Sequence, residues 1–250
     1  MKAIETIGLP GSGKSTINKL LLDNNKIFVE TTESYILKSY FKKSILLSII
    51  NSSKVKKIFI NQYYFKNSNK LLSEYMLESN DLLSFVLKSN YYMSQSKTDK
   101  VFVLKWMLRL IVDFQQSKLA GNKFIIFDEG FMHKTISLFV NPNQENFIDN
   151  DLFYLEINKY LELVPVPSKL IFVDISINSA FERLKKRGFT QRTKKINESK
   201  ILEYLSFCDK VIRYVVNFIK LKGCQVIVIN NNQGLENLKQ EMYNKISFKK

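Results

Sequence analysis

Near its N-terminus the chain reads Gly8-Leu9-Pro10-Gly11-Ser12-Gly13-Lys14-Ser15-Thr16, and no other segment restricts its fold as tightly. Glycines at 8, 11 and 13 let a backbone wrap closely and turn its N–H groups inward, which makes a cradle for an anion. The β-rich run Ala3 to Ile7 precedes this loop, and Lys14 to Leu22 follows it with Ile17, Leu20, Leu21 and Leu22 at helical spacing. A helix that begins at Lys14 aims the positive end of its dipole at the same anion. Strand, glycine loop and helix in that order predict a polyphosphate site.

The spacing is that of the Walker A motif, and each fixed residue type has a task. Gly8, Gly11, Ser12 and Gly13 supply main-chain N–H groups. Lys14 bridges the terminal phosphates as a point charge, the Ser15 hydroxyl ligates magnesium, and Thr16 is a supporting polar residue. ATP with Mg2+ is the expected cofactor pair. Kinases, GTPases, transporters and motors all use this loop. The chain has no Asn-Lys-x-Asp element after a strand to read guanine, and no Leu-Ser-Gly-Gly-Gln-like helix start of a transporter ATPase. A kinase is the reading that remains.

Three apolar runs further along read as strands buried on both faces: Phe124 to Phe127, Leu170 to Val173 and Val226 to Ile229. The short run Ile27-Phe28-Val29 adds another, with Thr32 as a candidate cap for the helix that follows. Helical periodicity fills about 131–140, 151–161, 179–186, 198–222 and 235–246. The stretch from Ser34 to about Asn122 also reads as helices, with polar breaks near Asn51 to Ser53, Asn67 to Asn69 and Ser94 to Asp99. Buried strands separated by helices require parallel crossovers, hence a sheet covered on both faces. The expectation is an α/β, three-layer P-loop NTPase fold. It has a parallel five-stranded sheet, and one domain over 1–250 holds a helical insert at about 34–122 and a lid at about 183–197.

In their order these elements resemble the thymidylate kinase and deoxynucleoside kinase branch of the P-loop kinases. Leu119 to Asp128 is similar to that branch's third strand. Lys169 to Asp174 followed by Phe181 to Gly188 looks like its fourth strand, helix and arginine-bearing lid. The resemblance implies phosphoryl transfer from ATP to a small molecule. A nucleoside or deoxynucleoside is the leading acceptor, ahead of a nucleoside monophosphate and of a sugar or other metabolite hydroxyl.

Candidate residues follow from the chemistry of that transfer, in which the enzyme positions groups and neutralises spreading charge. Arg183, Arg187 and Arg192 are candidates to close over the γ-phosphate; the alternative is a solvated basic helix end. Asp128, after a buried strand, suits a carboxylate that holds magnesium, or else a helix N-cap. Arg109 falls where the resembled kinases present an arginine to the acceptor, and Trp106, Phe102 and Phe114 are either pocket aromatics or core. Members of the branch usually carry arginine where Glu129 stands here, and a glutamate there repels a phosphorylated acceptor. Glu30 falls where the deoxynucleoside kinases place the base that takes the proton of an acceptor hydroxyl, with Glu33 as a second candidate. Asn231, with Asn230 and Gly234, is expected by analogy to flank the nucleotide. His133, the only histidine, reads as a helix-surface residue.

The formal net charge of +15 invites a nucleic-acid partner, which makes a polynucleotide 5′-kinase or nucleic-acid-binding ATPase the reading from a second class. The cations are mostly scattered lysines and form no block, so that partner is the lesser reading. A nucleotide-binding regulator that transfers nothing is a third. The most apolar segment, Ile45 to Ile50, is far shorter than a membrane span, and the N-terminus lacks a signal-peptide core, so a cytoplasmic chain with no membrane partner is expected. Cys208 and Cys224 read as buried small apolar residues, and a homodimer is left open.

Overall fold

The computed structural model describes residues 2–23, 29–40, 53–78, 81–89, 97–118, 124–143, 147–189, 193–233 and 235–246. Strand β1 (Lys2–Gly8) leads through the glycine loop into α1 (Lys14–Asp23), and β2 (Val29–Thr31) runs directly into α2 (Thr32–Tyr40). The helices α3 (Ser53–Glu78), α4 (Asp81–Lys88) and α5 (Lys97–Lys118) separate α2 from β3 (Phe124–Phe127). After β3 come α6 (Phe131–Phe139), α7 (Asp151–Leu163), β4 (Lys169–Asp174), α8 (Ile177–Arg187), α9 (Glu198–Leu221), β5 (Gln225–Asn230) and α10 (Leu235–Lys245).

The five strands are all parallel, in the order β2-β3-β1-β4-β5. Because side chains alternate along a strand, the sheet feeds two cores. Ile4, Ile126, Ile171, Ile227 and Ile229 pack with Ile17 and Leu21 of α1 and Leu238 and Met242 of α10. Ala3, Ile7, Ile125, Phe127, Leu170 and Phe172 face the other way, onto α6, α7, α8 and α9. This is the three-layer arrangement read from the sequence. The register pairs Gly8 with Val173 and Asp174 with Asn230, so the loops after the strands gather along one edge.

Several local expectations need correction. No break interrupts α3 at 67–69, because Asn67 Nδ2 donates to the Tyr63 carbonyl one turn back, 2.9 Å, and Leu71 and Tyr75 continue the buried face. The cap of α2 is Thr31, whose hydroxyl accepts from the Ser34 N–H at 3.0 Å, and Thr32 is already helical. Strand β5 is an outer strand and is not buried on both faces: Val228 is 41% exposed. Residues 27 and 28 of the expected second strand lie outside the described residues. Cys208 and Cys224 are buried thiols, as expected, and among the described residues no helix is long and apolar enough to cross a membrane.

Candidate active site

The glycine loop closes on itself through main-chain bonds. Ser12 N–H donates to the Leu9 carbonyl, and the Thr16 and Ile17 N–H groups both donate to the Gly13 carbonyl as α1 begins. Gly11 and Gly13 adopt φ of 83° and 94°, in the left-handed region that costs a side-chain-bearing residue about 1–2 kcal/mol. Space gives a second reason for glycine at 13, since a Cβ there would lie 2.4 Å from Asn231 Nδ2.

Asn231 supports the loop from behind. It is buried, its Nδ2 donates to the Ser12 carbonyl at 2.6 Å, and its own carbonyl accepts from Arg183 Nη2 at 2.7 Å. The side chain expected beside the nucleotide is therefore engaged with the loop itself, and Arg183 is held against both. Arg187, one helical turn further along α8, is exposed and near enough to Lys14 to disfavour its charge. Arg192 and Gly234 lie outside the described residues.

Lys14 donates to the Gly8 and Leu9 carbonyls at 2.9 and 3.0 Å. Burial pushes its ammonium down to about 8, while the Glu129 and Asp128 carboxylates oppose the shift. Ser15 is exposed at the first turn of α1. One turn further along α1, Asn18 Nδ2 donates at 2.9 Å to Oδ1 of Asp128, the residue that follows β3. The hydroxyl of Ser15 and the carboxylate of Asp128 are hard oxygen donors. Among the described residues no cluster of three or more acidic, histidine or cysteine side chains competes for a metal. Such a sparse oxygen set fits Mg2+, which keeps several waters and takes its other ligands from phosphates, better than it fits a cation caged wholly by protein.

Beyond Asp128 opens a cleft of roughly 400 Å³ between the ends of β2 and β3 and the helices α2, α5 and α6. Its apolar walls come from Trp106, Leu110, Ile126 and Phe127, and its charged groups are Glu33, Arg109, Asp113, Asp128, Glu129 and Lys134. Arg109 pairs with Glu33 at 2.7 Å, and its guanidinium lies over the Tyr64 ring. Asp113 accepts from the Tyr64 hydroxyl, and burial raises its carboxyl to about 6. Lys134 pairs with Glu129 at 2.9 Å beneath the Trp106 ring, and burial lowers its ammonium to about 8.

Of the sequence candidates, Arg109, Asp128 and Glu129 line this cleft, as does Glu33. Glu30 does not: its side chain is 12% exposed and pairs with Lys38 at 2.8 Å. Trp106 is a cleft wall, whereas Phe114 is core, packed edge-on against Phe131. The Phe102 side chain lies outside the described residues. His133 is buried rather than a surface residue, because α6 is covered along almost its whole length. Asn18, Asp113 and Lys134 were missed. Lys134 had little local signal, since Phe131 to Phe139 mixes apolar residues with His133, Thr135 and Ser137 as well.

A glycine loop after the central strand of a parallel β2-β3-β1-β4-β5 sheet, with a carboxylate at the end of the adjacent strand, makes this a P-loop NTPase fold. No family model matches the chain. Among curated proteins it is similar to the thymidylate kinase of Campylobacter concisus (strain 13826), 30% identical over 127 residues that make up 51% of this chain. The match spans 60% of that relative's length. Among solved structures it is similar to the deoxyadenosine kinase of M. mycoides with bound dATP, at 20% identity, 97% coverage of both chains and a TM-score of 0.47. The same enzyme with bound dCTP gives 19% identity, equal coverage and a TM-score of 0.46.

Proposed function

We propose that this chain is an ATP- and Mg2+-dependent kinase whose acceptor is an uncharged hydroxyl compound, a nucleoside or deoxynucleoside. The observation that carries the choice of acceptor is the charge of the cleft. Four carboxyl groups, Glu33, Asp113, Asp128 and Glu129, face two cations, Arg109 and Lys134, and both cations are already paired with carboxylates of the same cleft. The whole chain carries +15, so this acidic cleft runs against its background. Like charges held close in a partly dry site repel strongly, and an acceptor that brings its own phosphate would meet that repulsion.

In this reading the main-chain N–H groups of the loop and Lys14 bind the triphosphate, and Arg183 and Arg187 lie on the side where charge spreads during transfer. Ser15 and Asp128 hold Mg2+, which neutralises phosphate charge when bound. Glu33 takes over the base role first assigned to Glu30: its carboxylate lines the cleft, where its 2.7 Å pairing with Arg109 holds it in place. The acceptor oxygen forms the new bond to the γ-phosphorus, the bond to ADP breaks, and the hydroxyl proton passes to Glu33.

The similarity to a thymidylate kinase favours a second reading, in which the acceptor is a nucleoside monophosphate. Acceptor-dependent ADP release across nucleosides, their monophosphates, sugars and oligonucleotides, with Lys14→Ala as the blank, separates the two. Release with nucleosides supports the proposal. Release confined to monophosphates replaces it with the second reading, and release with none removes both.

A further inference from the structure

We infer that Glu5, in the middle of the central strand, is a positioning residue for the Asp128-Glu129-Gly130 turn. The role rests on the phosphoryl-transfer reading above, but the contacts that carry it stand on their own. Helix α6 starts in the interior, with every residue from Phe131 to Ile136 buried. The first N–H groups of a helix have no partner within it, and Gly130 at the cap position has no side chain to supply one. Glu5 supplies it from another strand. Its Oε1 accepts from the His133 N–H at 2.8 Å, and the neighbouring Met132 N–H favours the charged form of the same carboxyl group.

Gly130 itself is explained by the same contact. Its φ of −71° is one any residue adopts, so backbone freedom is not what calls for glycine. A Cβ there would lie 2.4 Å from the Glu5 carboxyl carbon, closer than two carbons can pack. Just before it, Glu129 sits at φ 62°, a left-handed conformation that costs a residue with a side chain about 1–2 kcal/mol. The turn is thus fixed at each of its three residues: Asp128 by Asn18, Glu129 by Lys134, and Gly130 by Glu5.

Glu5 is 3% exposed on the strand face that buries Ala3 and Ile7, and such burial raises its carboxyl to about 8. A group that breaks the apolar pattern at such a cost marks a functional demand more often than a packing one. The demand is visible in the connectivity. β1 runs from Glu5 into Gly8, so one strand sets the glycine loop at its end and, through Glu5, the carboxylate turn on its neighbour.

The test uses Glu5→Ala, Glu5→Gln, Gly130→Ala and the Glu5→Ala/Gly130→Ala double variant. Glu5→Ala is expected to lower kcat about a hundredfold with the KM for ATP unchanged, the cost of a misplaced catalytic group. Glu5→Gln keeps the volume and an acceptor oxygen, and restores most of the turnover. Gly130→Ala lowers kcat when Glu5 is present and has no further effect once Glu5→Ala has made room. Amide exchange at Met132 and His133 rises in Glu5→Ala and returns towards wild type in Glu5→Gln. If Glu5→Ala does not fold, Glu5→Gln and Gly130→Ala carry the same comparison. Full kcat in folded Glu5→Ala overturns the inference, as do equal losses of kcat and ATP affinity. So does a Gly130→Ala penalty that is the same with and without Glu5. A wild type with no acceptor-dependent turnover sinks the kinase reading instead, and amide exchange then decides the Glu5 contact alone.

Discussion

The glycine loop and the acidic cleft meet at Asp128, yet they are built in opposite ways. The loop is one contiguous segment closed by its own main-chain bonds, with Asn231 as its support from afar. The cleft draws its charged groups from α2, α5, the turn after β3 and α6, and its Arg109–Glu33 pair joins residues far apart in the chain. A main-chain anion cradle needs only glycines at fixed spacing, so it is written locally. A cleft of matched side chains exists only after the helices have packed, so its charge cannot be read from any one stretch.

This contrast predicts that variants in the loop act on all acceptors alike, whereas variants in the cleft act on turnover or stability and leave the triphosphate bound. The largest effect is expected for Lys14→Ala. It should lower turnover with every acceptor about a thousandfold, as removal of a buried charged donor from developing phosphate charge does, and ADP-release assays read it. Next is Glu33→Gln, expected to lower kcat about a hundredfold with ATP affinity unchanged, whereas Glu30→Gln changes kcat little; single-turnover kinetics with calorimetry of ATP binding separates them. An equal loss in the two glutamine variants would return the base role to Glu30.

Glu129→Gln comes third. It leaves the Lys134 ammonium buried beneath Trp106 without its counter-charge, and because Glu129 is about half exposed the cost should be about 1–2 kcal/mol in chemical denaturation. The fourth effect is read as a pH profile. The Glu5 carboxyl is raised from its ordinary 4.5 to about 8 by burial, so between those values the folded chain holds a proton that the unfolded chain releases. Its contribution to stability is fully present below 4.5 and is lost as pH rises through about 8. Urea denaturation across that range should show the wild type losing stability with rising pH relative to Glu5→Gln, and parallel curves would contradict the assignment.

Much of the frame was legible because its signals are local. Apolar runs at 124–127 and 170–173, bounded by turn residues, read as strands covered on both faces, and the order of elements followed. Val226 to Ile229 carried the same signal, but strand order made β5 an edge, which no single run reveals. Within the site, Gly8 to Thr16 and Asp128 were readable from motif and position. Glu30 and Glu33 were not separable, since both follow one short strand and only the α2 to α5 packing turns Glu33 towards Arg109. Lys134 lies in a mixed segment and Glu5 is a lone charge in an apolar run, and neither pattern names a partner. Their partners, Glu129 with Trp106 and the first turn of α6, come from other elements.

The central claim is that a cleft with more carboxylates than cations selects an acceptor without a phosphate. Steady-state kcat/KM for one deoxynucleoside and for its own 5′-monophosphate, measured side by side with saturating ATP and magnesium, tests it most directly. The account predicts a clear preference for the deoxynucleoside, and a preference for the monophosphate would contradict it.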